Sequence, residues 1–179
     1  MNLSGLKAVL APLHAKLDAG KRWDQAERLL KLALRWANDL DGEIDRDLLA
    51  TLAFTFTLRA EVRAPTSTRS SVEAALAEQG WTPLSTRELI RALERMPDKP
   101  ATDEEKLIVD ADTYTQLGLL GLCRHFASGA SAGMSLADCE RMAKKALNRR
   151  VYTPRAQADC QPRRDLLRQL LVELNKDCN

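Results

Sequence analysis

The chain has 179 residues, 45% of them hydrophobic and 29% charged, with a formal net charge of +2. That composition suffices for one well-buried domain over residues 1–179 and excludes a membrane protein, because no run of about 20 apolar residues occurs. So small a net charge also argues against a nucleic-acid binder whose whole surface is basic.

The N-terminus, MNLSGLKAVLAPLH, has neither the charged start nor the long apolar core of a secretory signal, so a cytoplasmic location is expected. Cys123, Cys139, Cys160 and Cys178 include no CxxC pair. They read as reduced thiols, not as zinc ligands or a disulfide framework.

Taken in order, the chain reads as successive helices. Leu6, Leu10, Leu13 and Leu17 recur at spacings of three and four, which predicts a first amphipathic helix ended by Gly20. Ala26, Leu29, Leu30, Ala33, Trp36, Ala37 and Leu40 give a second, from Trp23 to Leu40, with Asp41 and Gly42 as its stop. A third is expected from about Ile44 to Leu58, where Leu48, Leu49, Leu52 and Phe56 keep helical spacing despite the strand-like alternation AFTFTL. Between Arg59 and Ser71 the periodicity lapses, and proline, serine and threonine predict a loop. A short helix should then end at Gln79, with Gly80 as its left-handed stop.

Ser85 with Glu88 and Thr102 with Glu105 match capping boxes, in which hydroxyl and carboxylate satisfy each other's backbone donors. The stretch from Glu104 to Phe126 joins the most apolar run to Asp110 and Asp112 and continues as a helix carrying Gly118 and Gly121. Glycine inside a helix costs about 1 kcal/mol relative to alanine, so this pair predicts close approach of another helix or a ligand. The small-residue stretch SGASAG reads as a linker. Ser135 with Asp138 weakly resembles a third box. A basic helix follows through Lys144 and Lys145 to Arg149, and Thr153 caps a last, leucine-rich helix that Pro162 should kink or restart. Trp23, Trp36 and Trp81 are most simply core or edge-of-core anchors.

Three stretches in this order resemble the small bacterial HD-domain metal-dependent phosphohydrolases. DADTYTQLGLLGLCR, from Asp110 to Arg124, is similar to that family's closing motif and keeps both aspartates, both glycines and the arginine, departing at Tyr114 and Thr115. GKRWDQAERLLKLA, from Gly20 to Ala33, resembles its opening segment, and Thr153 to Leu174 its last helix. The resemblance implies an all-α, single-domain HD-like helical bundle. It also implies a divalent metal held by a first histidine, an adjacent His-Asp pair and a last aspartate, which activates water against a phosphoester.

Carried over, those positions fall on Gln25, on Phe54 with Thr55, and on Asp112. A further family histidine falls near Lys21, others near Ala64 and Arg95, and Asp110 completes the DAD. Only Asp112 is a ligand of the expected kind. A metal that lowers the pKa of water toward ~7 needs several imidazoles or carboxylates converging on it, and the chain has two histidines, His14 and His125, neither at a ligand position. On a single helix His125 would lie about 20 Å from Asp112 at 1.5 Å per residue, which leaves it a polar or capping role.

Lys21, Gln25, Phe54, Thr55, Asp110 and Asp112 thus read as a vestigial site, with no metal or cofactor and no catalytic residue. The expected function is a non-catalytic module binding a protein or a small phosphorylated ligand. Two alternatives stand beside it. One is a phosphohydrolase with an atypical ligand set. The other is a nucleic-acid binder using the basic C-terminal third, where Lys144, Lys145, Arg149 and Arg150 could meet phosphates. Ten Lys and Arg against six Asp and Glu lie between Met134 and Asn179, yet few aromatics interleave, so a solvated helix face is the simpler reading of those four.

Overall fold

The computed structural model describes residues 3–17, 23–63 and 67–177. Among them run ten α-helices and no strand: α1 (Leu3–His14), α2 (Trp23–Ala37), α3 (Arg46–Phe56), α4 (Arg59–Arg63), α5 (Ser67–Glu78), α6 (Pro83–Arg95), α7 (Asp103–Thr115), α8 (Gly118–Ser131), α9 (Leu136–Leu147) and α10 (Pro154–Asp177). No helix among these residues is long and apolar enough to cross a membrane. The described residues divide into two compact units, the first ending at Val109 and the second beginning at Asp110.

In the first unit the apolar stripes expected on α1, α2 and α3 supply the core in part: Leu6, Leu10, Leu29, Trp36, Leu49, Leu52 and Phe56 are fully buried, while Leu13, Leu17, Leu30, Ala37, Leu40 and Leu48 are half-buried. α2 packs on α3, α1 on α5 and α3, and α6 on α3, α4 and α5. Gly20, expected to end α1, lies outside the described residues. α2 closes at Ala37, before the expected Leu40, and α3 opens at Arg46 because the Asp45 carboxylate accepts from the amides of Asp47 and Leu48 at 2.9 and 3.0 Å.

The expected loop from Arg59 to Ser71 is instead mostly helical, with α4 and the start of α5. Tertiary contacts supply what periodicity lacked. Val62 is fully buried, and the Arg63 guanidinium donates to the carbonyls of Leu93, Glu94 and Met96 at 3.3, 2.9 and 2.7 Å. A cation on orphan carbonyls at a helix C-terminus satisfies acceptors and complements the helix dipole.

Two cap assignments shift. α6 is capped by Thr82, whose Oγ1 accepts from the Ser85 amide at 3.1 Å, so Ser85 lies inside the first turn, Pro83 opens it, and the expected Ser85–Glu88 box is not formed. At α7 the Thr102 hydroxyl accepts from the Glu105 amide at 3.3 Å as expected. The Glu105 carboxylate, however, accepts from the amide of Ala101 at 2.8 Å and pairs with Arg95. Gly80 holds the expected left-handed conformation, φ +83°.

In the second unit α8 packs on α9 and α10, and α9 on α10. The helix expected to run through Phe126 is two helices. Leu117 is extended, Gly118 has φ +71°, and the amides of Gln116 and Leu117 close a tight turn onto Thr113 and Tyr114 at 3.1 and 3.2 Å. Gly118 serves that conformation, which L side chains rarely adopt. A Cβ at Gly121 would collide with the Gln116 carbonyl, so the close approach its glycine allows is to the chain's own turn. The glycine that admits a neighbouring helix is Gly129, against Cys139 of α9. α8 thereby reaches Ser131, into the stretch expected to be a linker. Ser135 caps α9 through the Asp138 amide at 3.2 Å. α10 passes through Pro162 without restarting, since the proline is exposed and forfeits one backbone hydrogen bond.

Gly121→Ala tests the turn. In an ordinary helix interior this change stabilises by about 1 kcal/mol; here it is expected to lower the melting temperature, because the new methyl must displace the Gln116 peptide. A melting temperature at or above that of the parent would show that the turn yields freely.

Candidate functional site

Among the residues singled out in the sequence, Gln25, Phe54 and Thr55 belong to the first unit and Asp110 and Asp112 to the second. Lys21 and Ala64 lie outside the described residues.

α2 and α3 bring Gln25, Phe54 and Thr55 into the interior of the first unit, where they are 4%, 5% and 0% exposed. The Phe54 ring stacks on Trp23, centroids 4.4 Å apart and planes within 11°. His14 meets Trp23 edge-on at 5.2 Å, its Nε2–H donates to the Phe54 carbonyl at 2.8 Å, and its Nδ1 lies 3.3 Å from the Thr57 hydroxyl. The Thr55 hydroxyl donates to the Thr51 carbonyl of its own helix at 2.7 Å. Trp23 Nε1–H and Lys7 share the Glu27 carboxylate at 2.6 and 3.1 Å. These two hydrogen bonds, Trp23's first, hold Glu27 below the ordinary glutamate range. These three positions therefore hold a buried amide, a ring stacked on Trp23 and a hydroxyl bonded within its own helix.

Asp110 and Asp112 are two residues apart on α7, so their side chains leave opposite sides of the helix. Asp110 is fully buried and accepts from the amides of Tyr152 and Thr153 and from the Thr153 hydroxyl, each at 2.8 Å. Burial pushes its carboxyl above the ordinary aspartate range, against the pull of those donors and of the Arg164 charge. Its work is to hold the start of α10.

Asp112 accepts from the Arg149 guanidinium and the Gln116 amide, each at 2.7 Å. Both ion-pair side chains are largely withdrawn from water, Arg149 21% and Asp112 11% exposed. Next to them the His125 Nε2–H donates to the Gln116 carbonyl at 3.2 Å. The expected 20 Å between His125 and Asp112 does not arise, because the turn at Gln116–Gly118 folds α8 back. His125 feels the charges of Asp112, Arg124 and Arg149. Burial is the largest influence on its ring and lowers its pKa below the ordinary histidine range.

Of the four basic residues proposed for phosphate contact, three have separate partners: Lys144 pairs with Glu140 at 2.5 Å, Arg149 with Asp112, and Arg150 lies 4.8 Å over the Tyr152 ring, while Lys145 is exposed. Sequence reasoning missed Arg149 as the partner of Asp112, along with the roles of His14 and Trp23 around Phe54. Separations of 37, 40 and 31 residues leave no local signal for any of the three. Among the described residues no three His, Cys, Asp or Glu side chains are grouped so as to hold a metal ion.

Two outcomes are expected. Phe54→Ala should destabilise the protein by about 3–5 kcal/mol, the cost of truncating a buried phenylalanine; an unchanged denaturation midpoint would show that the ring is not core. His125 gives a pH dependence of definite sign. Its folded pKa is depressed, so as pH falls below about 6.5 the unfolded chain takes up the proton first and stability declines until the folded ring titrates too. Melting temperatures between pH 7.5 and 5 should fall less steeply in His125→Gln.

No protein-family model and no curated protein matches the sequence. Solved structures do match over nearly the whole length. YpgQ of Bacillus subtilis, in complex with ADP, aligns with TM-score 0.72 and 20% identity over 96% of this chain and 97% of its own. A protein from Lactobacillus plantarum aligns with TM-score 0.73 and 16% identity over 97% and 96%. An HD-superfamily hydrolase from Bacillus thuringiensis aligns with TM-score 0.71 and 19% identity over 100% and 99%. At these identities the likeness establishes architecture, and the chain has the all-helical fold of that HD-superfamily hydrolase.

Proposed function

We propose that this chain uses an HD-type fold as a binding module for a small phosphorylated ligand and does not catalyse metal-dependent phosphoester hydrolysis. One observation carries the reading. Asp112, the only retained carboxylate of the ligand set that the resemblance implies, has its negative charge answered by the Arg149 guanidinium at 2.7 Å.

The residues present do not fit a divalent metal. At the other positions stand a buried amide, a phenylalanine ring stacked on Trp23 and a hydroxyl that donates to its own helix. A hard or borderline cation needs several anionic or imidazole donors, and an aspartate already bound to a guanidinium would have to give up that partner first. No hydrolytic step is therefore derived. What these residues do is bind and orient. The case for a phosphorylated ligand rests on two supports: the arginines gathered in the second unit, and the ADP bound by YpgQ, a protein of the same fold.

Elemental analysis of protein purified without chelator is expected to find well under one equivalent of Mn, Fe, Co, Ni or Zn per chain. No phosphate should be released from ADP or ATP with Mn or Mg added. One tightly held metal per chain, or a hydrolysis rate abolished by Asp112→Ala, would overturn the proposal.

A further inference from the structure

The second unit contains a group of guanidiniums that no structural role exhausts. Arg149 gives Nη1 to Asp112, while its Nε and Nη2 make no hydrogen bond among the described residues. Arg164 gives Nη2 to the Arg149 carbonyl at 2.6 Å, and its Nε is buried without a partner there. Arg163 donates Nη1 to the Leu117 carbonyl at 3.2 Å and covers the Tyr114 ring at 4.0 Å. Arg124 and Arg149 both act on His125, and Arg164 acts on Asp110. Arg149 thus lies on Asp112, and Arg164 acts on Asp110, whose carboxylate is spent on the start of α10.

Resting on the proposed function, we propose that Arg149 takes the place of the metal ion at Asp112. The carboxylate fixes the guanidinium through one edge, and its remaining Nε–H and Nη2–H donors form a metal-independent site for a phosphoryl group. The chemistry suits the geometry. Guanidinium is a planar, permanently charged fork that binds phosphate oxygens through two parallel donors, and a carboxylate on its far side removes the rotational freedom that would otherwise be lost on binding. A partly exposed Arg149, 21% accessible, leaves the donors within reach of solvent. From Asp110 to the C-terminus there are eleven Lys and Arg against eight Asp and Glu, so an entering anion meets a net positive unit. Neutral His125 adds no charge, and with its Nε2–H on the Gln116 carbonyl it braces the turn that presents Gln116 to Asp112.

The test is calorimetric titration of the full chain with inorganic pyrophosphate at low ionic strength, once with EDTA and once with added Mn. Equal affinity in both is expected. Arg149→Met should weaken binding at least tenfold and Arg149→Lys by an intermediate amount, since an ammonium cannot offer the fork. Lys144→Met with Lys145→Met should bind nearly as the parent does. Because Arg149→Met removes the guanidinium that Asp112 faces, the double variant Arg149→Met with Asp112→Asn is measured beside it and should bind equally weakly. In the parent the Arg149 Nε–H resonance should shift on titration. Binding that disappears with EDTA, binding untouched by loss of Arg149, or no binding by the parent would each overturn the inference. These failures are separable from failure of the proposed function, which would show as bound metal or phosphate release.

Discussion

The carboxylate of Asp110 accepts three hydrogen bonds from the two residues that precede Pro154, and the second unit depends on that anchor. Hydrogen bonds to a charged group contribute about 1.5–3 kcal/mol each, enough to offset much of the cost of burying a carboxylate. The anchor acts beyond α10. Arg149 lies three and four residues before the amides that Asp110 holds, so fixing Tyr152 and Thr153 leaves only a short tether for the guanidinium that reaches Asp112. The two aspartates of one motif therefore cooperate through the chain: the first places a segment, and the second receives its charge.

That arrangement changes the meaning of the motif. A divalent cation at Asp112 would hold water and substrate together in one coordination sphere; a guanidinium neutralises the same carboxylate without an open coordination position. Partly buried ion pairs contribute little net stability, because desolvation cancels much of the attraction, while removing one partner leaves a costly unpaired charge. The pair is better understood as holding a cation in a fixed orientation than as a source of stability. Around Phe54 the substitution runs the other way: apolar stacking on Trp23 and the His14 bond to the Phe54 carbonyl put packing energy at positions where the resemblance implies polar ligands.

Legibility in the sequence followed the range of the forces involved. The leucine spacings gave α1, α2 and α3, and the hydroxyl caps at Thr102 and Ser135 located two further starts, because capping and amphipathic burial act within one or two turns. α4 has too few residues for periodicity to show, and its Arg63 works on carbonyls about 30 residues away. The break between α7 and α8 is not legible locally, because the two glycines that predict a neighbouring helix or a ligand answer instead to a backbone turn.

By itself, the sequence determined that the chain folds as helices, where α2, α7, α9 and α10 start, and that the positions implied by the HD resemblance carry glutamine, phenylalanine and threonine beside one surviving aspartate. Only the tertiary structure decided what those residues touch. It gave Asp112 to Arg149, Asp110 to Thr153 and Phe54 to Trp23, because side-chain pairing across 31 to 43 residues depends on where the helices pack and leaves no periodic trace along the chain.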